Sequence, residues 1–150
     1  MMALSLALAN MIATTAHGHA EAKGLQPLCI VVLDASGHVL AVQRDERASI
    51  YRLEIATAKA QGCIGMAMGG RELAKRASAM PALYATFNHV THGGIIPVPG
   101  GVLIRDAKGA IIGAVGVSGD TADNDEAAAL AGIASAGLMA DTGAIAEPAL

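Results

Sequence analysis

The chain begins with apolar residues at helical spacing. Leu4, Leu8 and Ile12 recur every four positions within residues 3–23, which places them on one face of an amphipathic helix. Gly24 follows directly, and glycine is the residue most often found just past a helix C-terminus. The pattern therefore predicts a helix over residues 3–23 that stops at Gly24.

Two pairs of short apolar runs, each joined by a turn, lie farther along the chain. Residues 28–34 form a continuous apolar run with β-branched side chains, and residues 38–44 return after an Ala-Ser-Gly turn. Residues 102–106 and 110–119 repeat this arrangement around Ala-Lys-Gly. Each pair is typical of a β-hairpin, and a hairpin requires antiparallel strands.

Helical patterns fill the segments between and after the hairpins. They are predicted over residues 49–68, over residues 71–77, after Pro81, and from a cap at Thr121 or Asp123 through Leu138.

The order of these elements is helix, hairpin, helices, hairpin, helix, which indicates an α/β protein of the α+β type. A small antiparallel sheet with helices packed against it is the simplest arrangement of that order. We expect one domain over residues 1–150, with a core over about residues 4–138 and a frayed tail over residues 141–150.

The amino-acid composition adds the prediction that the chain forms an oligomer. Hydrophobic residues make up 53% of the 150 residues, but aromatic residues only 2%, so the core must consist of aliphatic side chains. The mean hydropathy of +0.49 is high for a monomer of this size. Because exposed apolar surface favours association, we expect a second copy of the chain to cover part of it.

The charge of the chain excludes several classes of partner. A net charge of −3 disfavours binding to nucleic acid or to an anionic membrane. The N-terminal segment lacks the basic region of a signal peptide, which favours a cytoplasmic location. Cys29 and Cys63 are too few for a disulfide framework and are interpreted as small core residues.

Three stretches carry a family resemblance when they are taken together. They are VVLDASGHVLAVQRDE at 31–46, PVPGGVLI at 97–104 and GAVGVSGDTADNDEAAALAG at 113–132. In this order they resemble the GlcG/HbpS family, also called the haem-degrading domain family, which includes the C-terminal domain of PduO-type proteins. The most specific feature is GVSGxxxxxDE followed by an Ala-rich helix.

The resemblance implies a profilin-like fold, in which helices flank an antiparallel sheet. It also implies assembly into dimers or larger rings such as octamers. Some members of the family bind haem, whereas many others have no settled activity. The resemblance therefore implies the fold more firmly than the function.

Two glycine-bearing turns are candidates for a ligand pocket. Ser118 and Gly119 stand between a strand and a helix, where free backbone N–H groups attract anions. Pro99, Gly100 and Gly101 form a rigid loop with unobstructed amides. The alternatives are an ordinary strand-to-helix turn and a rigid crossover. In the resembled fold both turns lie near one sheet end, so we interpret them as substrate-binding walls.

Four charged residues complete the candidate site. Arg44 would orient a carboxylate, and Lys59 with Asp125 or Glu126 would move protons. This set favours an enzyme of the isomerase or hydrolase type that acts on a compact organic acid without a cofactor. The alternatives are a protein that binds or degrades haem or a corrinoid, and a non-catalytic assembly module.

The histidines indicate little about function, because their spacing matches no metal-binding motif. They are His17, His19, His38, His89 and His92. No metal site is predicted from them. Any one of them could still be an axial haem ligand.

Overall fold

The computed structural model of the protein describes residues 2–144. The helices are α1 (Leu6–Ala22), α2 (Arg52–Met66), α3 (Gly70–Ala79), α4 (Pro81–Val90) and α5 (Ala122–Ser135). The strands are β1 (Cys29–Asp34), β2 (Val39–Arg44), β3 (Gly101–Arg105), β4 (Ile111–Ser118) and β5 (Met139–Asp141).

The strands form one sheet in the order β2-β1-β4-β3-β5, and every neighbouring pair is antiparallel. Both predicted hairpins are present, as β1–β2 and β3–β4. The central strand β4 then pairs with β1, which joins the two hairpins into one sheet. The predicted α+β class, with an antiparallel sheet flanked by helices, is confirmed.

The two faces of the sheet carry separate hydrophobic cores. On one face, α1 and α5 cover side chains such as Ile30, Val32 and Val115. On the other face, α2 covers Cys29 and Val31, and Tyr84 of α4 joins the same core. Residues of β1 alternate between the two cores because successive side chains of a strand point to opposite faces.

The ends of the helices follow from capping residues that the sequence displays. The Ser5 hydroxyl accepts a hydrogen bond from Leu8 N, and Gly24 adopts φ +65° just past α1. Of the two predicted caps for the last helix, Thr121 is the one used, since its side chain accepts from Asn124 N at 3.2 Å. No helix among residues 2–144 is long and apolar enough to span a membrane.

The predicted fraying of the chain after residue 140 is wrong for residues 141–144. Strand β5, which the sequence did not predict, pairs with β3, and Arg105 forms a 2.8 Å ion pair with Asp141. The Thr142 carbonyl accepts from Arg71 N at 3.0 Å. Short-range pattern could not show these contacts, because every partner is distant in sequence. The rest of the predicted tail lies outside the described residues.

Candidate functional site

A buried ion pair joins the two layers of helices at one end of the sheet. Lys59 of α2 places Nζ 3.0 Å from Asp125 Oδ2 of α5 and donates to the Val117 carbonyl at 2.8 Å. The side chains are only 5% and 1% exposed. Asp125 Oδ1 also accepts from the Asp120 amide at 2.9 Å. Every charged atom of the pair therefore has a partner inside the protein.

Glycines make this pair possible, because they let α2 approach the sheet closely. A Cβ on Gly116 would overlap the Ala56 carbonyl oxygen, and one on Gly101 would overlap the Lys59 carbonyl oxygen. A Cβ on Gly100 would stand 2.9 Å from Lys59 Nζ. The glycines of the PVPGG loop thus pack directly against Lys59.

The two predicted turns do meet at one sheet end, where the Val117 amide donates to the Gly100 carbonyl at 2.9 Å. Pro99 lies in the turn directly before Gly100. However, the space beside Lys59 is filled by Gly100 and by the Asp125 side chain. The arrangement that we expected to form a pocket wall is a sealed contact in this chain.

Glu126 does not lie beside Lys59, so the prediction that it would exchange protons with that lysine is wrong. Both Glu126 carboxylate oxygens lie near Arg71 Nε, at 3.0 Å for Oε1 and 2.8 Å for Oε2. Arg71 also pairs with Asp123 at 2.7 Å. Consecutive helical residues point in directions about 100° apart, so Asp125 and Glu126 face different neighbours.

Gly119 is also separate from the ion pair. A Cβ on this residue would overlap the Pro27 carbonyl oxygen and would lie 2.8 Å from Leu28 Cδ2. Gly119 therefore permits close packing against the start of β1, and its predicted role in the same pocket as Gly100 is not what the geometry shows.

The electrostatics of the pair agree with a structural role. Burial raises the pKa of Asp125, and the charge of Lys59 and the hydrogen bond from Asp120 oppose that rise. A base or nucleophile needs access to substrate, and neither side chain has it in this conformation. Proton transfer from either group to a substrate would require the packing around them to open.

Arg44 and Ser118 bond to partners other than the ion pair, and of the two only Arg44 is exposed. Arg44 pairs with Cys29 across β2 and β1, and Cys29 pairs with Ser118 across β1 and β4. The buried Ser118 hydroxyl accepts from Arg52 Nη1 at 3.1 Å. Sequence reasoning gave no definite role to Arg52, because its partner is 66 residues away.

A cleft of about 900 Å³ lies between α1, the end of β2 and the segment that leads into β1. Its lining includes His17, Glu21, Leu25, Pro27, Leu28, Val42, Gln43, Arg44, Asp45 and Arg47. Neither Lys59 nor Asp125 lines it. Of the predicted site residues, Arg44 is the one that borders this cleft.

His17 is held in place within the cleft. Its Nε2 lies 3.1 Å from the Gln43 carbonyl oxygen, and the Gln43 side chain donates to Thr14 Oγ1 at 3.2 Å. Because a carbonyl oxygen only accepts, Nε2 of the neutral ring is the donor, and the lone pair is on Nδ1. The sequence gave no reason to prefer any one of the five histidines. Only the contact with Gln43 of β2 distinguishes His17.

Charged side chains border the same cleft. Arg47 pairs with Asp45 at 2.9 Å, and this bond holds the pKa of Asp45 at about 2. Arg44 Nη1 donates to the carbonyl oxygens of Asp45 and Ala48 at 3.0 and 3.1 Å. The cleft thus combines an imidazole, some aliphatic surface and the guanidinium group of Arg47, while the Arg44 guanidinium is bonded to the loop that follows β2.

Comparison with known proteins gives consistent results. The profile of the family described as haem degrading protein HbpS-like matches residues 4–134. An uncharacterized 15.0 kDa protein in the dhaT-dhaS intergenic region of Citrobacter freundii is 32% identical over 108 residues, which are 70% of this chain and 75% of that protein.

Solved structures match over most of their length. HbpS is 31% identical, with a TM-score of 0.77 over 89% of this chain and 90% of that one. Protein ORFY of Klebsiella pneumoniae is 25% identical, with a TM-score of 0.81 over 91% and 93%. The PduOC:haem complex has a TM-score of 0.82 over 92% and 98% at 24% identity, and this similarity shows the fold. With the profile spanning nearly the whole described chain, the protein belongs to the family described as haem degrading protein HbpS-like.

Proposed function

We propose that this protein binds haem in the cleft between α1 and β2. The observation that carries the proposal is His17, whose imidazole borders the cleft and is oriented by the Gln43 carbonyl. Membership of a family described as haem degrading supports it. A structurally similar protein, PduOC, has been solved as a haem complex.

The residues of the cleft fit a haem group. Its volume of about 900 Å³ lies within the roughly 300–1,000 Å³ of known cofactor sites. Leu25 and Val42 offer partly exposed aliphatic surface to a porphyrin face, whereas the Leu28 side chain is buried in the core. Arg47 at the border bonds to Asp45 through Nε and Nη2 and keeps Nη1 for the propionate groups. Its pairing with Asp45 also neutralises one of the acids that would otherwise repel them.

His17 would be the axial ligand and would bind through Nδ1. Nε2 already donates to Gln43, so this hydrogen bond fixes the ring and leaves the Nδ1 lone pair for the iron. The bound haem would supply redox chemistry at its iron. The protein would contribute the ligand, the orientation of the ring and partial exclusion of water.

Titration with haemin tests the proposal. We expect the wild-type protein to shift the Soret band, and His17→Ala to weaken haemin binding at least about tenfold. His38→Ala is the matched control, since that side chain is 82% exposed on the β1–β2 turn. A shift that depends on His19 and is unaffected by His17→Ala would show that the cleft is the wrong site.

We also infer that the chain associates with copies of itself. Ile50, Tyr51 and Val90 are 80%, 69% and 68% exposed, although all three are large and apolar. Such side chains are costly to leave in water when they are numerous. Light scattering coupled to size-exclusion chromatography tests this inference, and a mass of 15.0 kDa at micromolar concentration would contradict it.

A further inference from the structure

Two arginines lack the acidic partner that the other arginines have. Within residues 2–144 the paired arginines and their acids are Arg47 with Asp45, Arg71 with Asp123 and Glu126, Arg76 with Glu72, and Arg105 with Asp141. The two arginines outside these pairs are Arg44 and Arg52. Both lie at the same end of the sheet.

Their common location follows from the register of the strands. Arg44, Cys29 and Ser118 stand directly opposite one another on β2, β1 and β4. Directly paired residues share a face, and neighbouring strands are about 4.8 Å apart, so Arg44 and Ser118 are roughly 10 Å apart at Cα. Arg52 Nη1 donates to Ser118 Oγ on that face. Arg44 and the Arg52–Ser118 contact therefore lie on either side of the buried Cys29 in the sheet.

Each guanidinium is fixed and still has unused donors. Arg44 uses Nη1 for two carbonyl oxygens in the loop before α2, and Arg52 uses Nη1 for the Ser118 hydroxyl. A guanidinium has five N–H donors, so most of them remain for a ligand. The Ser118 side chain is fully buried, so its hydroxyl fixes Arg52 and does not reach a ligand in this conformation.

The local field is positive despite one acid. Burial raises the pKa of the Cys29 thiol, and the charge of Arg44 opposes that rise. Glu54 lies near enough to Cys29 to raise the same pKa further. Glu54 is not within 4 Å of either arginine. Arg52 is also the first residue of α2, where the helix dipole is positive. Two guanidinium groups and a helix start thus lie near Glu54 and near Asp45, and the Asp45 carboxylate is already paired with Arg47.

We propose that Arg44 and Arg52 form a subsite for the carboxylate of a small ligand, with the buried Ser118 hydroxyl positioning Arg52. The planar forks of two arginines match the geometry of a carboxylate. That group could belong to a free organic acid or to the propionate of a tetrapyrrole. The proposal does not depend on haem ligation by His17.

Binding of succinate tests the subsite. Calorimetry at low ionic strength measures the affinity, and the amide chemical shift of Ser118 reports whether the ligand binds nearby. We expect Arg44→Gln and Arg52→Gln each to weaken binding at least about tenfold. Arg76→Gln, which removes a guanidinium that already pairs with Glu72, is the control and should bind as the wild type does. If Arg52→Gln fails to fold, Arg52→Lys and Ser118→Ala replace it, each with a smaller expected loss.

The source of the carboxylate is decided with haemin and its dimethyl ester. If Arg52→Gln binds haemin more weakly than the wild type does but binds the ester equally well, the ligand group is a propionate. Loss of succinate binding with unchanged haemin binding identifies a free acid. The subsite is refuted if both arginine variants bind succinate as the wild type does, if Arg76→Gln loses binding equally, or if inorganic phosphate binds more tightly than succinate. Failure of the haem proposal is separate, since it is read from His17→Ala.

Discussion

Removing the charge of Asp125 is the sharpest test of the buried ion pair. Asp125→Asn keeps an oxygen that can accept from the Asp120 amide, but it leaves the Lys59 ammonium with only the Val117 carbonyl. Both side chains are at least 95% buried, so water cannot replace the lost carboxylate. Breaking such a pair on one side costs about 3–5 kcal/mol.

The assay is urea unfolding followed by circular dichroism at pH 7 and at a fixed protein concentration, because association would shift the midpoint. A loss of about 3–5 kcal/mol corresponds to a fall in Tm of roughly 6–20 °C for a chain of this size. The second variant, Lys59→Met, removes the other charge. In the double variant the two losses should not add, since no unpaired charge is left.

A cost below about 1 kcal/mol for Asp125→Asn would refute this reasoning. It would mean that water reaches Lys59, as at an exposed salt bridge. That result would also restore the case for Lys59 and Asp125 as a catalytic pair, because an accessible amine could meet a substrate. A stability measurement therefore decides between the structural and the catalytic interpretation of the same two residues.

Gly116→Ala should destabilise the protein by at least about 2 kcal/mol in urea unfolding, because the added Cβ overlaps the Ala56 carbonyl oxygen and forces α2 away from β4. Gly65→Ala in α2, where the added Cβ would meet open space, should instead stabilise the protein by about 0.5–1 kcal/mol. Equal effects of the two substitutions would contradict the close packing of α2 on β4. Asp45 has a pKa lowered from 3.8 to about 2 by its bonds with Arg47, so it contributes stability above pH 3.8 that is lost as the pH falls toward 2. Asp45→Asn should flatten the acid limb of stability against pH in that window, and an unchanged limb would refute the assignment.

The sequence alone determined the class and order of the main elements. The two hairpins are visible as paired apolar runs around short turns, and the helices as four-residue periodicity with boundary residues such as Gly24 and Thr121. These signals are local, so each can be read from a window of about ten residues. The family was also evident, because its motifs are short stretches in a definite order.

The candidate site was only partly predictable. Lys59, Asp125 and Gly100 do meet, as their convergence at one sheet end suggested, but whether the meeting place is a pocket or a packed contact depends on volumes that no pattern records. Glu126 differs from Asp125 by one position and faces another partner, Arg71, since a helix turns about 100° per residue.

Tertiary structure alone decided which residues border a cleft. His17 became distinct from the other histidines when α1 packed beside β2, and Arg52 when its guanidinium reached Ser118. Such pairs are 26 and 66 residues apart, so nothing near either residue in the chain indicates its partner. Local propensity determines the elements, whereas burial and the access of water to each side chain arise when the elements pack together.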